Sequence, residues 1–302
     1  MIRTRSGVPY KPSAIRRYGH AIEHFLIPHI GRRRLGEIRR VHVQDLVDQM
    51  VSDGYSPSSI RNVILPLRSI CRRAIDREEI DHNPTSKLSL PVDRRRKDRV
   101  APPDEVNSLL EVLPFNLRLI WATAIYTGLR RGELQALGWQ HVDFDQGTIE
   151  VERGWDYQAG FIDPKSRAAF RRLPLPGALR GMLIKQKLSQ GGGPDSLVIG
   201  DGDKPFDPPN MLRNARRIWK QHDLTGLGYH ECRHTYASLM IAAGVNAKTL
   251  STYMGHSSIV MTMDRYGHLF PGNEQDSAAK LDEYLQAAEM APRHGEAAVI
   301  PI

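Results

Sequence analysis

Four short stretches of this chain carry side chains able to work on a phosphate ester. In Thr127-Gly128-Leu129-Arg130-Arg131-Gly132-Glu133-Leu134 an arginine follows a glycine of the kind that ends helices. Pro164-Lys165-Ser166-Arg167 offers a lysine in a loop between β-like stretches. His230-Glu231-Cys232-Arg233-His234-Thr235 opens a helical run with a histidine and an arginine three apart, hence on one side. Gly255-His256-Ser257-Ser258 is followed by Tyr266, within Asp264-Arg265-Tyr266-Gly267-His268.

The chemistry such residues could support is attack on a phosphodiester. That group carries one negative charge, and attack builds more on its non-bridging oxygens. Planar guanidinium forks bind two such oxygens at once and keep their proton. Fixed donors of this kind, here Arg130 and Arg233, are worth about 3–4 kcal/mol each to a transition state. Tyrosine, with a pKa near 10, needs help to attack. His230 is the candidate base, because imidazole titrates near neutrality. Lys165 can protonate a leaving oxygen, and His256 can donate a hydrogen bond to the phosphate. With arginines supplying the charge, the reaction calls for no metal and no other cofactor.

The elements that must position these groups are mostly helical. Ser13 is a possible cap for a helix to about Leu26, with Ile15, Tyr18, Ile22, Phe25 and Leu26 on one face. A second apolar run, Val43 to Met50, ends at Gly54. Ser56-Pro57 reads as a cap followed by proline at the first helical position. The helix after it carries Ile60, Val63, Ile64, Leu67, Ile70, Cys71 and Ile75, and Pro66 is expected to kink it. Residues 85–103 have no amphipathic period and contain Arg94, Arg95, Arg96, Lys97 and Arg99. Beyond Asp104, helices are expected near 104–113, 116–127, 131–137, 177–188, 209–221, 230–243, 246–254 and 258–265. Strands are expected at 148–155, near Phe161 and at 170–175, and a polar amphipathic tail helix at 274–290. The Gly191-Gly192-Gly193 run lacks the residues of a phosphate cradle and reads as a loop.

Charge separates the two regions. The 302 residues sum to +8, but the first hundred hold 21 basic against 11 acidic residues, an excess of ten. The remainder is slightly acidic. A polyanionic partner is implied, nucleic acid foremost, with the Arg94, Arg95, Arg96 and Lys97 cluster as phosphate contacts. At 40% hydrophobic and 25% charged the chain reads as globular. It has no apolar run of about 18 residues and no secretory signal, and Cys71 and Cys232 form no disulfide framework, all of which fits a reducing cytoplasm.

The order and spacing of the four stretches resemble the tyrosine recombinases, or phage integrases. The resemblance covers nearly the whole chain and is strongest over 122–134 and 230–268. It matches Arg130 to the first family arginine, Lys165 to the β-hairpin lysine, His230 and Arg233 to the His-x-x-Arg pair, His256 to the Gly-His histidine, and Tyr266 to the nucleophile. Arg171-Arg172-Leu173-Pro174-Leu175 resembles the strand that follows the lysine. Two departures stand out: the interval from His256 to Tyr266 is one residue longer than in the most familiar members, and Arg167 offers a second cation beside Lys165.

The resemblance implies a mainly α fold with a small β-sheet in two domains. These are a helical, SAM-like core-DNA-binding domain over 1–88 and a catalytic domain over 104–290, joined by a basic linker over 89–103, with 291–302 a flexible tail. It implies site-specific DNA recombination through a 3′-phosphotyrosyl intermediate, without metal or ATP. The implied partners are double-stranded DNA, a homo-tetramer assembled on it, and accessory DNA-bending or directionality proteins, in a prokaryotic, nucleoid-associated setting. An N-terminal arm-binding domain, carried by many members, is expected to be absent or cut away.

Three other readings compete. His230-Glu231-Cys232-Arg233-His234 formally matches the H-E-x-x-H zinc peptidase pattern. Against it, Arg233 is a poor core-facing residue, and the position for a third ligand six residues after His234 is Met240. A type IB topoisomerase shares the chemistry, and a catalytically inactive DNA-binding relative shares the fold. Among neighbours of the site, Glu133 is expected to hold the helix or Arg130, His234 to be a structural partner, and His268 to border the site. Cys232, Trp139, Trp155 and Trp219 are expected in packing.

Overall fold

A computed structural model describes residue 10 and residues 12–92, 99–163, 170–202, 204–270, 278–279 and 281–286. The chain divides into two compact units, Met1–Asp98 with Trp155–Ile162, and Arg99–Gly154 with Asp163–Ile302. Among the described residues, no helix is long and apolar enough to cross a membrane.

In the first unit, α1 (Pro12–Ala21) runs through a π-turn, Ile22–Leu26, into α2 (Ile27–Ile30). The helix starts at Pro12, so Ser13 lies inside it rather than capping it. Ala21, Leu26 and Ile30 are buried, Ile22 and Phe25 pack against the same core, and Ile15 is 42% exposed. α3 (Arg40–Ser52) gives way to Gly54 at φ +80°, a conformation open to glycine. α4 (Pro57–Asp76) begins where the Ser59 N–H donates to the Ser56 hydroxyl, and it continues through Pro66. Its buried Ile60, Val63, Ile64, Leu67 and Cys71 pack with Val43, Leu46, Val47 and Met50 of α3. Residues 85–91 stay with this unit. Leu88 and Leu90 pack against its core, and the Ser89 N–H donates to the Gln44 side chain at 2.9 Å. The antiparallel turn of β3 (Gly154–Asp156) and β4 (Gly160–Ile162) is also tied here, where Arg16 pairs with Asp156 at 2.7 Å and lies over the Tyr157 ring.

The second unit is built on a buried helix. α6 (Phe115–Thr127) is apolar almost all round and carries Leu119, Ile120, Trp121, Ala124 and Ile125 into the core. Around it lie α5 (Pro103–Glu111), α7 (Arg131–Ala136), α8 (Gly177–Gln190), α9 (Pro208–Gln221) and α10 (Tyr229–Ala242). Trp121 and Trp219 cross edge to face at 5.2 Å, and each indole N–H donates to a backbone carbonyl, of Leu227 and Leu109. β1 (Val142–Asp143), β2 (Thr148–Val151) and β5 (Arg171–Pro174) form an antiparallel sheet in that order, with Val151 opposite Arg171 and Ile149 opposite Leu173. A short hairpin, β6 (Gly200–Asp201) with β7 (Lys204–Pro205), precedes α9. α11 (Ala247–Tyr253) and α12 (Ile259–Tyr266) close a smaller core of Tyr236, Ala237, Ile241, Leu250, Met254 and Tyr266.

Candidate active site

Gly128 sets the site's first corner. It ends α6 at φ +62°, and a Cβ there would lie 2.4 Å from the Tyr236 ring, so both backbone and space require glycine. The chain then turns so that Arg130 caps α7. Its N–H donates to the Glu133 carboxylate at 2.9 Å, and its Nη1 donates to the same carboxylate at 2.8 Å. Glu133 also receives Arg171 Nη2 at 2.8 Å. Burial pushes the Glu133 carboxyl up, but hydrogen bonds and charge from Arg171, then the charge of Arg130, bring it down to about 2.

The arginines converge on one turn of backbone. Arg171 Nε donates to the Tyr253 carbonyl at 2.7 Å. Arg130 Nη2 donates to the carbonyls of Met254 and Gly255, at 3.2 and 2.9 Å. Arg233 donates from Nη2 to the Met254 carbonyl as well, and from Nη1 to the Gly128 carbonyl at 2.6 Å. Three consecutive carbonyls, left over at the end of α11, thus hold three guanidiniums. Burial and the Arg130 charge pull Arg233 below its ordinary value, with Glu133 acting the other way, and it stays cationic at neutral pH. Arg130, with its side chain 42% exposed, is the most open of the three.

α10 starts at Gly228, whose N–H donates to the Glu231 carboxylate at 2.6 Å. That bond ties Glu231 to its own helix end. The next turn faces the site with His230, Arg233 and His234. Tyr266, at the end of α12, is only 3% exposed, and its hydroxyl lies 2.6 Å from His234 Nδ1. The rings of His230 and His234 meet edge-on at 4.5 Å, and Arg265 Nη1 is 3.4 Å from Nε2 of each. His256 Nδ1 and the buried Thr262 hydroxyl share a hydrogen bond of 2.8 Å. Burial, then the charges of Arg233 and Arg130, lower His256 to about 4, so it is neutral at pH 7.

Of the residues expected from sequence, the structure brings together Arg130, Arg233, His256 and Tyr266, with His230 beside them. Lys165, Arg94, Arg95, Arg96 and Lys97 lie outside the described residues. Three contributors went unread. Arg171 had a usable signal, because it shares the inward phase of β5 with buried Leu173. Arg265 and Thr262 had none, since Arg265 reaches histidines of α10 and Thr262 reaches back to His256 ahead of α12. Glu133 holds Arg130 as anticipated, and also Arg171. Trp139 and Trp219 are buried in the core, and Cys232 is buried with them.

The phage integrase family model matches residues 99–272. The chain is 26% identical over 291 residues to the ICEBs1 integrase of Bacillus subtilis, covering 91% of this chain and 79% of that one. It is 24% identical over 311 residues to a XerC-like tyrosine recombinase of Caldanaerobacter subterraneus, covering 90% and 78%. Among solved structures it is similar to the Tn1549 transposon integrase in complex with transposon right-end DNA. That likeness has a TM-score of 0.76 at 19% identity and covers 93% and 96% of the two chains. A lambda integrase dimer bound to a core site gives 0.66 at 20% identity, covering 89% and 94%.

Proposed function

This chain belongs to the phage integrase family and is a tyrosine-type site-specific DNA recombinase, and we propose that Tyr266 is its nucleophile, acting on a phosphate held by Arg130 and Arg233. The observation that carries the assignment is the shared Met254 carbonyl, which brings the two guanidiniums together next to His256. Such a pair can grip both non-bridging oxygens of one phosphate.

In the proposed step the Tyr266 oxygen forms a bond to phosphorus while the bond from phosphorus to O5′ breaks. The phenol proton passes to His230, and O5′ takes a proton from Lys165. A 3′-phosphotyrosyl ester and a free 5′-hydroxyl result. The 5′-hydroxyl of a partner strand reverses the step, with the ester storing the bond energy so that no ATP is required. His256, neutral at pH 7, hydrogen-bonds the phosphate. The excess positive charge of residues 1–100 supports phosphate contacts by the first unit and the Arg94–Lys97 cluster, and each contact steepens the salt dependence of binding.

Strand exchange requires two sites at once, so a homo-tetramer on DNA is the working assembly, with accessory DNA-bending or directionality proteins as further partners. A nucleoid-associated setting in a prokaryotic cytoplasm follows from the same reading.

The test uses a nicked duplex selected from a random-sequence pool for covalent capture by the wild-type protein. Tyr266→Phe should bind this DNA as tightly and form no adduct. An adduct surviving the substitution overturns the assignment. Joining of two marked duplexes, rather than mere relaxation of one plasmid, separates recombination from topoisomerase action.

A further inference from the structure

Arg265 immediately precedes Tyr266, yet its guanidinium points at histidines of another helix. We propose that Arg265 is a positioning residue: it fixes His234 as an Nδ1–H donor to the Tyr266 hydroxyl. The proposal rests on Tyr266 being the nucleophile.

The argument is one of donors and acceptors. A guanidinium has only donors, and a neutral imidazole has one donor and one acceptor. Arg265 Nη1 lies 3.4 Å from His234 Nε2, so that nitrogen accepts and the ring proton sits on Nδ1. Nδ1 is 2.6 Å from the Tyr266 oxygen, and with a proton on it the histidine is the donor. The tyrosine oxygen accepts this bond. As the phenol becomes a phenolate this bond becomes charge-assisted and strengthens, which is what selectively lowers the barrier. His234 therefore stabilises the nucleophile's charge and is not the base.

The same Nη1 lies 3.4 Å from His230 Nε2. By the same reasoning His230 Nε2 accepts from Arg265, and it takes the phenol proton only by exchanging this donor for the phenol. The edge-on stacking of the rings at 4.5 Å lets one guanidinium reach both. The bland alternative is that exposed Arg265 serves only as a DNA phosphate contact.

Two measurements decide between them. Long-range 1H–15N spectra of histidine-labelled protein at about pH 8, with His234 assigned through His234→Asn, report the tautomer directly. The wild type should carry the His234 proton on Nδ1, Arg265→Ala should move it to Nε2, and Arg265→Lys, whose ammonium is also donor-only, should keep it on Nδ1. Adduct formation at saturating selected duplex should slow about ten- to a hundredfold in Arg265→Ala and recover in part in Arg265→Lys. The loss should persist on a 5′-bridging phosphorothiolate duplex, whose sulfur leaves without protonation, because the effect lies on the nucleophile. An unchanged tautomer in Arg265→Ala, a defect confined to DNA affinity, or full rescue by the phosphorothiolate would each overturn the proposal. Failure of the nucleophile assignment is read separately, from an adduct in Tyr266→Phe.

Discussion

The Glu133 carboxylate lies 2.8 Å from the Arg171 guanidinium, and the two side chains are 11% and 1% exposed. This buried pair is the foundation of Arg130, which rests on the same carboxylate. Glu133→Gln leaves Arg171 without its counter-ion and should cost about 3–5 kcal/mol in urea unfolding at pH 7. The pH dependence gives an independent check. Because the folded-state value is lowered from 4.5 to about 2, the stabilisation is present above pH 4.5 and is lost as pH falls toward 2. The variant should lack that loss.

Gly128→Ala should be more damaging than its single methyl suggests. It forces a side chain onto φ +62° and into the Tyr236 ring, together costing about 2–4 kcal/mol. The Gly128 carbonyl also anchors Arg233, so adduct formation should fall further than stability alone accounts for. Denaturant melts alongside single-turnover cleavage would separate the two effects.

His256 is lowered from 6.5 to about 4 and is half-buried. The unfolded chain therefore binds a proton that the folded chain refuses as pH drops from about 6.5 to 4, and the DNA-free protein loses stability over that window. With the site's exposure discounted, the loss should not exceed about 2 kcal/mol. Unfolding of His256→Gln measured at several pH values should show a flatter profile there; an equal slope in both proteins would contradict the shift.

Strand cleavage should continue undiminished in EDTA, because Arg130 and Arg233 supply the positive charge that a metal would otherwise bring. Adduct yield with and without chelator is the measurement. Abolition by EDTA would return the H-E-x-x-H pattern to consideration.

Much of this was legible in the chain itself, for local reasons. Ser56-Pro57 announced α4 through a cap and a preset φ, and Gly128 announced the end of α6. The buried face of α4 followed from helical spacing. Ile22, Phe25 and Leu26 of the first helical stretch also meet the core as expected, while Ile15 is exposed, and no residue type signals the π-turn at Ile22–Leu26. In the site, the separation of His230 and Arg233 placed both on one side of α10. The tie between His234 and Tyr266 spans 32 residues and depends on how α12 packs on α10, a tertiary fact that spacing does not encode. Arg171 falls between these cases, since strand alternation placed it inward but not against Glu133.

The carbonyls of Tyr253, Met254 and Gly255 hold three guanidiniums through atoms that every amino acid possesses. Replacing the Tyr253 side chain leaves its hook in place, a Cβ on Gly255 at φ +58° would lie 3.0 Å from Arg171, and inserting or deleting one residue moves all three cations at once. Descent under mutation should then tolerate a changed letter at Tyr253 but neither a side chain at Gly255 nor a changed count. The extra residue between His256 and Tyr266 obeys that rule, because it falls past the turn, where lengthening the chain displaces none of the three.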